Sequence, residues 1–189
     1  MSDDLNSTDV FDIDEKGAFF TRLDWGAFWT ACLVTFAVYV YTLAPTVTLE
    51  DSGELGVAGD YLGVPHPPGY PIWTIISWLF TKVFAFVTFR GQPNPAWSIG
   101  LVSAVFGALA AGITAMLICR SGRDMLVQSR GTLHQSDHDT SRAIAWIGGV
   151  SSSLLFAFTP AMWSQSTIIE VYSLNAFFLV FIFLLSYNW

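Results

Sequence analysis

The chain has 189 residues, of which 53% are hydrophobic and 12% charged, against roughly 25% charged in an ordinary soluble domain. Its apolar residues gather in runs close to the ~20 that cross a bilayer as a helix, which excludes a soluble enzyme and a disordered chain. Eight Lys and Arg against fifteen Asp and Glu give a formal charge of -7; too little positive charge is present to neutralise a phosphate backbone, so no nucleic-acid partner is expected.

Residues 1–24 are polar and acidic, with Asp3, Asp4, Asp9, Asp12, Asp14 and Glu15 against Lys16 and Arg22. They read as a flexible cytoplasmic tail, whose sequon at Asn6–Thr8 would matter only on a translocated side. Trp25–Leu43 is uncharged and flanked by Trp25, Trp29, Tyr39 and Tyr41, as interfacial aromatic belts would flank a first span. A cleaved signal peptide is the alternative, and the long acidic lead-in speaks against it. Cys32 and Cys119 sit within apolar runs as buried thiols.

The segment from Pro45 to Pro71 has no Lys or Arg and carries Glu50, Asp51, Glu54 and Asp60, whereas 120–142 carries Arg120, Arg123, Arg130 and Arg142. The excess of positive charge inside places the first outward and the second inward. Two apolar stretches lie between them, Ile72–Phe89 and Ala96–Cys119, and only one of them can cross. Ile72–Phe89 is the weaker spanner, because Lys82 interrupts it and Thr74, Ser77, Thr81, Ala85 and Thr88 recur at helical spacing as a small, polar stripe. It is predicted to lie in the membrane interface, with Trp73 and Trp78 near the headgroups.

Spans are therefore expected at about 25–43, 96–119, 143–160 and 171–189, the second rich in small residues that let helices approach. The outer loop would be 44–95, with an interfacial helix at about 72–89, and the inner loop 120–142. Pro160 marks a kink or an end. The fold class is all-α, a polytopic membrane helix bundle with its N-terminus inside. The final apolar run has no polar tail after it and reads as part of a longer polytopic protein.

The residues able to carry chemistry lie in the first outer loop. Asp51 is a candidate general base for an acceptor hydroxyl, with Glu54 beside it; the competing reading is a capping-box-like pair ahead of a short helix ending near Gly63. His66, held between prolines, is a candidate hydrogen-bond donor to a phosphate or partner of Asp51, or simply a bonded loop histidine. A divalent metal on Asp51, Glu54 and His66 fits by ligand type, although the spacing matches no dedicated metal motif. Glu170 could converge with Asp51 on one cavity or face water. Arg90 is a candidate phosphate contact or an ordinary interfacial cation. His134 and His138 have the spacing of a helical metal pair, but a solvated polar loop is favoured there.

Three strings, Asp51-Ser-Gly-Glu54, Leu62-Gly-Val-Pro-His-Pro-Pro-Gly-Tyr-Pro71 and Glu170-Val-Tyr-Ser-Leu-Asn175, together resemble a family of multi-pass proteins long catalogued as a domain of unknown function. That family is now grouped with the protein O-mannosyltransferases of the GT-C glycosyltransferase superfamily. The resemblance covers Trp25 to the end and implies a GT-C-like N-terminal part. The implied reaction moves a sugar, mannose above all, from a polyprenyl-phosphate carrier to a hydroxyl of a protein or glycan acceptor on the outer or lumenal side, with inversion. Asp51 matches the acidic position of the first outer loop and Glu54 stands second. His66, Tyr70, Arg90 and Glu170 are the substrate-binding candidates, no certain cofactor is implied, and the location expected is a bacterial inner membrane. The remaining phosphate-binding residues are expected beyond Trp189, leaving the isolated piece inactive. The rival reading is a transporter or flippase-like module that binds a polar substrate without chemistry; only a transferase would make a new glycosidic bond from a labelled lipid-linked sugar.

Overall fold

The computed structural model describes residues 19–48, 50–130 and 135–188, apart from the side chains of 127–130, 135–138 and 188. Most of the expected tail and its sequon lie outside the described residues, as does His134. In chain order the elements are α1 (Arg22–Thr42), α2 (Ser52–Tyr61), α3 (Pro71–Val83), a hairpin of β1 (Thr88–Phe89) and β2 (Gln92–Pro93), α4 (Pro95–Arg130), α5 (Gln135–Ala157), α6 (Pro160–Ser166) and α7 (Tyr172–Asn188). The protein is an all-α membrane bundle. Among the described residues, α1 and α4 are each long and apolar enough to cross a bilayer; α5 and α6 form a bent pair that could make a third crossing, and Tyr172–Tyr187 is a shorter apolar helix.

Helix α4 is the axis of the bundle, packing against α1, α5 and α7. Its small residues explain why: Ala104, Ala108, Ala110, Ala111 and Ala115 are all buried, and short side chains bring helix backbones together where lipid offers no hydrophobic drive. The approach is closest at Gly149 of α5, where a Cβ would stand 2.7 Å from the carbonyl oxygen of Ala115. The kink or end expected at Pro160 is a 69° bend between α5 and α6, with Thr159 capping the new helix by accepting from the Met162 N–H at 3.3 Å.

Two sequence expectations need correction here. The segment 120–142, expected as a loop, is largely helical, since α4 runs on to Arg130 and α5 begins at Gln135. Charge was read as loop, yet Arg, Met, Leu and Gln are good helix formers and Arg120 pairs with Asp124 one turn on, at 3.1 Å. The helix expected to lie in the interface ends at Val83 instead of Phe89. Arg90 and Gly91 both have positive φ, 52° and 79°, and Phe89 pairs with Gln92, so a two-residue hairpin turn that demands left-handed backbone takes over.

At 13 residues α3 spans ~20 Å, short of the ~30 Å hydrocarbon core. Of the small, polar stripe, Thr74, Ser77 and Thr81 are buried against protein, while Ala85 and Thr88 lie past the end of the helix and are exposed; Trp73, expected near the headgroups, is also buried, at 2% exposure, and Ile72, Ile75, Leu79 and Val83 are exposed. Small side chains on the inner face let α2 come close, and a Cβ at Gly59 of α2 would lie 3.0 Å from that of Ser77. Lys82 stays outside, 3.9 Å from Asp60 of α2.

Candidate functional site

The site is assembled where α1 hands the chain to α2. Asp51 precedes α2 and Glu54 lies in its first turn, where the free N–H groups and helix dipole favour carboxylates. The capping-box alternative is not realised, because Asp51 makes no side-chain cap bond and Glu54 turns to the proline loop. Glu54 accepts from the backbone N–H of His66 at 2.6 Å and meets its Nδ1 at 3.2 Å. These bonds hold the Glu54 carboxyl below the usual carboxylate range, the backbone N–H first and the ring second. The other ring nitrogen, Nε2, stands 3.9 Å from Asp51. His66 thus lies between the two carboxylates, and among the three Glu54 alone is fully engaged.

The proline string makes this posture rigid. The N–H of Gly69 donates to the carbonyl of His66 at 3.0 Å, closing a turn whose Gly69 has φ of 88°, a conformation open to glycine. Tyr70 follows, also left-handed at 42°, and sets its ring edge-on to His66 at 5.8 Å between centroids. Pro71 then starts α3, its fixed φ suited to a first helical position.

Glu170 arrives from the other side, in the connection between α6 and α7. That connection is bonded to the segment after α1 and to α2, α3 and α4. Ala44 N–H donates to Thr167 at 2.9 Å, Ser52 Oγ to Ile169 at 3.3 Å, and Trp73 Nε1 and Ser103 Oγ both donate to the Glu170 carbonyl, at 3.2 and 2.9 Å. A buried irregular segment must have its backbone groups paired in this way. The Glu170 side chain is 4% exposed. Burial pushes its carboxyl above the ordinary range; the N–H of Val171 works against that, the fields of Glu50 and Asp51 add to it, and His66 opposes them. Glu170 therefore shares one electrostatic neighbourhood with Asp51 and His66.

Arg90 is placed differently. It occupies the hairpin turn with its guanidinium 5.4 Å from the Phe89 ring, and no contact with the carboxylate cluster is among its described interactions. Among the described residues no three of His, Cys, Asp and Glu are grouped so as to hold a metal ion. Sequence reasoning named Glu50 only as part of the acidic loop. In the structure it has φ of 62° and accepts from Gln165 of α6 at 3.4 Å, tying the acidic loop to the bend. Gln165, Trp73, Ser52 and Ser103 were missed as site-building residues. The polar run 163–167 hinted at the first, but nothing local marks a lone serine inside an apolar helix.

Comparison with known proteins agrees with the placement of these residues at the start of a domain. A family model described as the protein O-mannosyl-transferase TMEM260 N-terminal domain matches residues 51–189. The mouse protein O-mannosyl-transferase TMEM260 is 32% identical over 143 residues, covering 75% of this chain and 16% of that protein. The Dictyostelium discoideum protein O-mannosyl-transferase tmem260 is 28% identical over 160 residues, covering 82% of this chain and again 16% of that protein. The chain thus corresponds to a small part of these curated relatives. No solved structure matches it.

Proposed function

Because this chain belongs to the protein O-mannosyl-transferase TMEM260 N-terminal domain family, we propose that it builds the acid site of a GT-C-type membrane mannosyltransferase. The donor is a polyprenyl-phosphate mannose and the acceptor a hydroxyl of a protein or glycan on the outer side. In this reading the N-terminus and the Arg120–Arg130 end of α4 lie inside, residues 25–189 form the first part of the transmembrane domain, and α3 rests in the outer interface. One observation carries the assignment: Glu54 is committed to His66 while Asp51, 63% exposed, keeps its oxygens open to an incoming group.

The chemistry follows from that division. Asp51 accepts the proton of the acceptor hydroxyl as its oxygen attacks the anomeric carbon. The bond from that carbon to the phosphate oxygen breaks, the configuration inverts, and the polyprenyl phosphate departs with the electron pair. Glu54 fixes the His66 ring, whose Nε2 faces Asp51 and the departing phosphate, and Tyr70 packs the far edge of the ring. Glu170, buried beneath, sets the field in which Asp51 works. Arg90 serves as a peripheral phosphate contact.

The test uses the full-length protein with labelled polyprenyl-phosphate mannose. Asp51→Asn is expected to lower transfer by about 10²- to 10⁴-fold, with membrane insertion and thermal stability unchanged. Transfer retained at the wild-type rate would remove Asp51 from the mechanism.

A further inference from the structure

At the opposite end of α2 from the acid cluster, a cavity of about 190 Å³ lies between α2, the end of α3, the hairpin and the start of α4. Asp60, Thr81, Lys82, Phe84, Asn94 and Ser98 are among the residues lining it. It is smaller than the ~300 Å³ at which drug-sized pockets begin, and it suits a small polar group.

Its charged pair is not closed. Lys82 Nζ and Asp60 Oδ1 stand 3.9 Å apart, beyond the roughly 2.7–2.9 Å of a charge-assisted hydrogen bond. Lys82 otherwise leans on the Trp78 ring, 5.5 Å from its centroid. The pair stands over a polar floor set within the protein, since Thr81, Asn94 and Ser98 are 5%, 8% and 1% exposed. The Ser98 hydroxyl enters none of the described hydrogen bonds, and a buried polar group in that state calls for a partner. Among the described residues lining the cavity, Lys82 and Asp60 alone are charged.

The surroundings fix the order of the complementary charges. Leu79 and Val83 flank Lys82 in α3, Phe86 follows, and all three are exposed. With α3 resting in the interface, as proposed above, that side meets acyl chains. Helix α2 packs on the buried side of α3, so Lys82 lies nearer the chains than Asp60 does. A cation followed outward by an anion is the complement of a zwitterionic phospholipid, whose phosphate lies next to the glycerol and whose ammonium lies beyond it. A quaternary ammonium has no N–H to give Asp60 and is held by aromatic cages, whereas Phe84 is the one aromatic residue among those lining the cavity. The acceptor therefore selects a primary ammonium.

We propose that this cavity holds the headgroup of a phosphoethanolamine phospholipid, its phosphate on Lys82 and its ammonium on Asp60, with the acyl chains along the exposed face of α3. The inference rests on the interfacial placement of α3 and is independent of Asp51 as a base.

The experiment takes full-length protein in phosphatidylcholine nanodiscs containing a little phosphatidylethanolamine with a diazirine on one acyl chain. Saturable labelling of peptides carrying Leu79–Phe86 is expected. Unlabelled phosphatidylethanolamine should compete about tenfold better than phosphatidylglycerol, on the scale of one hydrogen bond to a charged group, and free phosphoethanolamine at the same concentration should not compete. Lys82→Met and Asp60→Asn should each weaken labelling about tenfold at an unchanged thermal midpoint, as expected for a solvent-exposed ion pair. The exchanged pair, Asp60→Lys with Lys82→Asp, keeps opposite charges on α2 and α3 but reverses their order, and should label no better than the single variants. Equal competition by the two lipids, displacement by free phosphoethanolamine, or wild-type labelling of the exchanged pair would overturn the proposal. A spin label on Leu79→Cys separates the site from its premise. A label found in water would overturn both the interfacial α3 and this site; a label found in the bilayer, with no headgroup preference in the labelling, would overturn the site alone.

Discussion

Two clusters of acid and base sit at the two ends of α1, and they are built to opposite specifications. At its start, Asp24 is fully buried and Arg123 is 13% exposed, 2.9 Å apart. Asp24 Oδ2 also accepts from the backbone N–H and hydroxyl of Thr21, at 2.8 and 2.9 Å, and Arg123 donates to the same hydroxyl at 2.6 Å. Beyond its end, Asp51, His66 and Glu54 are 63%, 38% and 52% exposed, and the contact between Asp51 and His66 is long. The first cluster is closed around its own charges and ties α1 to α4. In the second, one carboxylate restrains the histidine and the other is left open to solvent. Residue types alone do not separate a closed pair from an open one; burial does.

The contrast can be broken by substitution. The largest effect is the loss of transfer in Asp51→Asn described above, with no loss of stability. Asp24→Asn should do the reverse: leaving Arg123 buried without its counter-charge is expected to cost about 3–5 kcal/mol of stability, read as a lower thermal midpoint in detergent, while surviving folded protein keeps its transfer rate. Glu54→Gln, which weakens the hold on His66 without touching Asp51, should slow transfer by about tenfold, on the scale of one charge-assisted hydrogen bond, and leave the thermal midpoint unchanged. An equal fall in both quantities would mean that Glu54 is structural.

The smallest effect is a pH dependence. Glu170 has its carboxyl raised by burial, so the folded state binds its proton more tightly than the unfolded state does. The stabilisation is complete below the ordinary carboxylate range and is lost as pH rises through the raised value. Glu170→Gln removes that loss. The difference in thermal midpoint between variant and wild type should therefore drift in favour of the variant as pH rises upward from the ordinary carboxylate range, about 4; a flat difference would show that Glu170 is not held in a desolvated site.

Much of this architecture was legible because it follows from one-dimensional physics. The uncharged run at Trp25–Leu43 lies within α1 up to its C-cap, Leu43, and the small-residue run from Ala96 lies within α4, and the glycine and prolines of 65–71 do fix a turn around His66. What failed were local rules overruled at longer range. Asp51 and Glu54 have capping-box spacing, but a stronger partner for Glu54 came from His66, 12 positions on. Thr74, Ser77 and Thr81 of the stripe do share one face, and that face meets protein, since periodicity identifies a face without saying what it meets. The clasp of Trp73, Ser52 and Ser103 on the Glu170 segment joins residues 67 to 117 positions apart, and no pattern in the chain announces it.

An outward-facing acid site requires the two clusters to occupy opposite sides of the membrane. In a full-length background, single cysteines at Val57 and Met125, 63% and 70% exposed, can be probed with a membrane-impermeant maleimide in sealed, right-side-out vesicles. Labelling at Val57 before permeabilisation, and at Met125 only after it, is the predicted result. Labelling of both from the same side would mean that α3 crosses the bilayer or that α4 does not, and would contradict an outward-facing acid site.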